Sequence, residues 1–118
     1  MNSPSPLPGK DERRTQERRI LRVQAELLVP GRPAMPVRTV DISEGGVSVL
    51  CTVNLSTRTE CTVRLPLPVP PTGRKQLELR AVVLYSILSS SGGGFQLGMN
   101  VLSMDEATRN AIKQFVKN

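Results

Sequence analysis

Side chains able to recognise a charged ligand gather in two places. RRTQERRILRV, residues 13–23, holds five arginines just before the chain turns continuously apolar. TVDISEGGVSVL brings Asp41, Ser43, Glu44, Gly45 and Gly46 to one corner between two apolar runs. A guanidinium is a planar fork of donors that bonds the O6 and N7 edge of a guanine, or phosphate oxygens, while its face stacks on a second ring. Each stretch also has a plain structural reading. The arginines interleave with Asp11, Glu12 and Glu17 as a solvated arm would. Asp, Ser and paired glycines are ordinary turn formers, able to bond nearby amides and to take positive φ.

These groups act together only if the surrounding elements hold them together. Residues 1–12 have the Pro, Ser, Gly and Asn content of a disordered tail. The arginine arm, 13–22, reads either as a short helix or as a segment that orders on a ligand. On a helical turn Arg18 and Arg22 share a face; on an extended arm they reach a ligand from two places. Six apolar runs then read as strands, at 24–29, 37–42, 47–53, 60–67, 77–88 and 95–102. In the third, Val47, Val49, Cys51 and Val53 alternate against Ser48, Leu50 and Thr52. PLPVPPTGRK reads as a stiff surface loop, because proline has no amide for a ladder. Ser103-Met104-Asp105-Glu106 has the form of a capping box and predicts a helix over 104–117. Its stripe of Ala107, Ala111, Ile112, Phe115 and Val116 would close the open end of a barrel.

At 118 residues the chain fits one domain, 13–118 with arm and helix included. A net charge of +6 favours a polyanionic partner. One Tyr, two Phe and no Trp leave little platform for stacked bases, so DNA and RNA are not expected. Without histidine, a zinc site or a Cys-His pair has no partners, and Cys51 and Cys61 read as small buried hydrophobes. No nucleophile has a base set beside it by motif, so neither an enzyme nor a resident cofactor is expected. No apolar run approaches the roughly 20 residues of a membrane span. The start lacks a signal peptide, which points to the cytoplasm.

Arg18 and Arg22 make an RxxxR, and Asp41, Ser43 and Gly46 make a DxSxxG. Their order, their spacing across one strand pair and their small β-rich setting resemble the PilZ domain family over about residues 17–117. The resemblance implies a six-stranded antiparallel β-barrel capped by a C-terminal α-helix. It also implies binding of the bacterial second messenger cyclic di-GMP. Carried over, Arg18 and Arg22 would clamp guanine edges and phosphates, with Arg19 beside them. Asp41 and Ser43 would hydrogen-bond the ligand, and Gly45 and Gly46 would allow close approach. Arg14 opens an overlapping RxxxR with Arg18, and Tyr85 could stack on a base; both are secondary candidates. The implied role is a non-catalytic receptor, a monomer or weak dimer, that relays the signal to an effector protein in motility or biofilm control. The alternative is a PilZ-type adaptor of type IV pilus or motility assembly that binds no nucleotide. Such adaptors tend to lack the arginines that this chain keeps.

Overall fold

The computed structural model describes residues 17–90 and 93–117. Its strands are β1 (Arg19–Ile20), β2 (Gln24–Leu28), β3 (Met35–Ile42), β4 (Gly46–Cys51), β5 (Glu60–Val69), β6 (Gly73–Leu88) and β7 (Phe95–Ser103), followed by the helix α1 (Glu106–Lys117). All pairings are antiparallel, in the order β1-β3-β2-β5-β6-β7-β4. Because β3 also pairs with β4, strands β2 to β7 close into a six-stranded barrel. The short β1 is the addition. It continues the line of β2 along the same side of β3, where Ile20 pairs with Asp41.

Alternation builds the core. Cys61, Val63, Leu65 and Leu67 of β5 and Leu77, Leu79, Ala81 and Val83 of β6 all point inward and are buried. Each large aliphatic side chain so placed contributes roughly 1.5–3 kcal/mol relative to exposure. From α1, Ile112 is fully buried and Ala111, Phe115 and Val116 pack beside it, with the helix lying on β5. The expected stripe therefore holds, except that Ala107 is exposed and Thr108 is buried in its place.

Two local expectations change, and a third point, left open by the sequence, is decided. The segment PLPVPPTGRK is no loop: β5 and β6 run through it as a ladder, with Pro66 opposite Gln76 and Pro68 opposite Arg74. The ladder tolerates these prolines because β5 pairs with β2 only from Thr62 to Arg64. Beyond that point β5 is an edge, and the missing amides of Pro66 and Pro68 face its open side. The helix cap also differs. Ser103 ends β7, and Asp105 is the N-cap, its carboxylate accepting the Thr108 amide at 2.7 Å. Third, the described part of the arm is extended, and β3 holds it. The Thr39 hydroxyl donates to the Leu21 carbonyl and accepts the Val23 amide at 2.9 Å. The Leu21 amide bonds the Val40 carbonyl at 3.0 Å, and Leu21 itself is buried. The tail 1–12 and the first four residues of the arm, Arg14 among them, lie outside the described residues.

Candidate functional site

The corner between β3 and β4 is tied by its own small groups. The Ser43 amide bonds the Gly46 carbonyl at 2.9 Å, and the Gly46 amide donates back to Ser43 Oγ at 3.0 Å. The Gly45 carbonyl accepts the Val101 amide at 2.9 Å, which fastens the corner to β7. Ser43 is 1% exposed, so its hydroxyl serves the turn in this state. Neither Gly45 nor Gly46 takes positive φ. Gly46 is needed for a different reason, which is crowding. A Cβ there would lie 3.1 Å from the Met99 carbonyl oxygen, 3.4 Å from Arg18 Nη2 and 3.8 Å from Ser43 Oγ.

Arg18 therefore lies directly over the corner. Its Nη1 meets Asp41 Oδ1 at 2.7 Å, with the side chains 53% and 25% exposed. The two motifs, 23 residues apart in sequence, become one surface. The reason is strand register: with Ile20 opposite Asp41, the side chain two residues earlier on the same side of β1 falls diagonally beside the carboxylate. Alternation places Arg22 on that same outward side, exposed, with buried Leu21 turned inward between them.

Arg19 faces the other way. Its Nη1 donates to the Phe115 carbonyl at 2.7 Å, and its guanidinium lies 4.4 Å from the Phe115 ring centroid. Cation–π contact and a C-terminal helix carbonyl both favour a cation there. Neighbouring arginines, Arg18 just before β1 and Arg19 within it, thus face opposite ways.

Pairing also traces a row across the barrel's outer face: Ile20, Asp41, Ser48, Gly98 and Tyr85 stand opposite one another on β1, β3, β4, β7 and β6. The Tyr85 ring lies on Gly98, where an added Cβ would fall 2.1 Å from ring carbon Cε2. Tyr85 remains 41% exposed, three strand spacings or roughly 14 Å along the sheet from Asp41. Sequence reasoning passed over Asn100. It is exposed and pairs with Gly46, so its amide borders the corner. A polar residue in the second half of the otherwise apolar run LGMNVL was the available signal.

No cluster of metal-ligating side chains occurs among the described residues. Cys51 and Cys61 are buried free thiols, and burial pushes Cys61 up to about 11. No helix among the described residues is long and apolar enough to cross a membrane.

The family model for the PilZ domain matches residues 12–118. This chain belongs to the PilZ domain family. PilZ domains are typically receptors for cyclic di-GMP. No match is found among curated proteins. Among solved structures, the fold is similar to that of the Bacillus subtilis inhibitor of motility MotI/DgrA, with a TM-score of 0.68 and 17% identity, covering 86% of this chain and 48% of that one. The chain thus spans about half the length of the motility inhibitor. It is also similar to the PilZ domain of CeSA from a cellulose-synthesizing bacterium, with a TM-score of 0.57 and 18% identity, covering 85% of this chain and 94% of that one. At such identities the likeness is one of fold. The closed six-stranded antiparallel barrel with its C-terminal helix matches the PilZ fold.

Proposed function

We propose that this PilZ domain is a non-catalytic receptor for cyclic di-GMP, which it binds on the outer face of the barrel between the arm and the corner at Ser43. The observation that carries this reading is the convergence of Arg18 on Asp41 and Gly46, which joins both recognition motifs at one corner of the barrel. In the free protein the guanidinium and the carboxylate satisfy each other. The ligand replaces that pair with its own matched groups: guanine donors for Asp41, guanine acceptors and phosphates for Arg18 and Arg22. Asn100 and the Gly46 backbone border the seat, and Tyr85 offers a ring at its far side. A charge of +6 draws the dianion in. Binding is relayed to an effector protein by the change in the arm.

Isothermal titration of the whole chain with cyclic di-GMP tests this directly. Saturable heat is expected, with a Kd that weakens as salt rises. Absence of heat at tens of micromolar ligand, or equal binding of linear diguanylate and GTP, refutes the reading.

A further inference from the structure

A cleft of about 640 Å³ runs between α1 and the proline-rich tip of the β5–β6 hairpin, on the side that Arg19 reaches. Pro68, Pro70 and Pro71 make one wall, and Ala107 and Ala111 the other. Flat rings facing methyl groups form a smooth apolar slot. On its rim Asn110 and Gln114 stand four apart on the helix, so their amides project side by side, each able to donate and to accept. That pair suits the main chain of an extended segment.

Cations stand at both ends. Arg19 closes the end at Phe115, and Lys75 stands at the other, near enough to Asp105 at the helix start to act on its carboxylate. Lys75 forms no ion pair among the described residues, and Arg19 contacts a carbonyl and a ring there but no carboxylate. From Ala107 to Phe115 the helix rises roughly 12 Å, the length of about four extended residues.

We propose that this groove receives an extended segment of a partner protein, about four apolar residues bracketed by acidic ones, and that cyclic di-GMP weakens the engagement. The first half follows from the shape and charge of the groove. The second rests on the receptor reading above. Arg18 and Arg19 are consecutive, and β1 is held to β3 by only two residue pairs. Leu21, buried and fastened through Thr39, is the pivot. A ligand that draws Arg18 from Asp41 rotates the residues before Leu21 and withdraws Arg19 from Phe115. The groove then loses one of its two cations, so nucleotide and partner oppose each other across a single strand.

The probe is a fluorescently labelled synthetic peptide, acetyl-Gly-Asp-Glu-Val-Leu-Ala-Val-Glu-Asp-Gly, compared by anisotropy with the same peptide carrying Lys at each acidic position. The acidic peptide is expected to bind about tenfold tighter or more, several exposed charge pairs acting together. Lys75→Glu is expected to narrow or reverse that preference while cyclic di-GMP titration remains as in the wild type. Saturating cyclic di-GMP is expected to raise the peptide Kd about fivefold or more. Equal binding of the two peptides, or indifference to Lys75→Glu, overturns the groove. A dimer in sedimentation that Lys75→Glu dissolves also overturns it, because a second copy is then the occupant. Peptide binding that is charge-dependent yet unmoved or strengthened by bound nucleotide overturns the coupling alone. Peptide binding with no nucleotide heat overturns the receptor reading and leaves the groove standing.

Discussion

Replacing Arg18 with alanine separates recognition from folding. The guanidinium meets Asp41 at 2.7 Å, but with 53% and 25% of the two side chains exposed, water and salt screen the pair and its loss costs about 1 kcal/mol of stability or less. For a domain of this size that lowers Tm by at most roughly 4–8 °C. Ligand contact differs in kind, because the nucleotide covers the guanidinium and water no longer competes for its fork. Such a contact contributes roughly 1–3 kcal/mol, a loss of about 5- to 150-fold in Kd. Titration calorimetry at fixed salt, with thermal unfolding of the same samples, reads both quantities. Arg18→Ala is expected to unfold near the wild-type temperature while binding cyclic di-GMP at least about tenfold more weakly. Arg18→Lys keeps the charge without the fork and is expected to restore only part of the affinity. Affinity within about twofold of wild type, together with a Tm drop beyond about 10 °C, shows instead that Arg18 is a structural prop and refutes the reasoning.

Ile112→Ala opens a cavity where α1 meets the barrel, at a fully buried position. Urea unfolding is expected to show a loss of about 2–5 kcal/mol, and a loss below about 1 kcal/mol means that the helix is held elsewhere. The Thr108 amide holds the Asp105 carboxylate below its ordinary 3.8, so its contribution is present above that pH and lost as pH falls through the folded value. Asp105→Asn keeps an acceptor without the titration, and its Tm is expected to fall less steeply than wild type below about pH 4; parallel profiles refute the assignment. Burial raises Cys61 from 9.0 to about 11, so stability linked to its protonated thiol is intact below 9.0 and declines as pH climbs through 11. In a Cys51→Ser background, Ellman's reagent at about pH 8 is expected to label Cys61 only at the rate of unfolding, and rapid native labelling contradicts its burial.

The strands were legible because burial on one face of a pleated ladder writes a period of two into the sequence, as in Leu77, Leu79, Ala81 and Val83 of β6. The proline segment misled because a ladder amide is required only where a neighbour exists, and the neighbours of β5 are set by barrel closure rather than by the residues within it. The helix cap misled by two positions for a related reason. Ser103 was already committed to β7, leaving Asp105 as the first side chain free to reach an amide.

Within the site, residue chemistry was readable and direction was not. What guanidiniums, a carboxylate and small residues can bond was readable in the sequence, since donors and acceptors belong to residue types wherever they lie. Which way each arginine faces depends on whether the arm is helical or extended, and that stayed open until β1 paired with β3. Pairing sends one guanidinium out to the corner and the other to the helix, and it alone brings Tyr85 to rest on Gly98. The sequence by itself determined what these side chains can bond and which positions must be buried, because both are local properties of residues and their period. Only the tertiary structure decided which groups share a surface, because strand register and barrel closure join residues far apart in the chain.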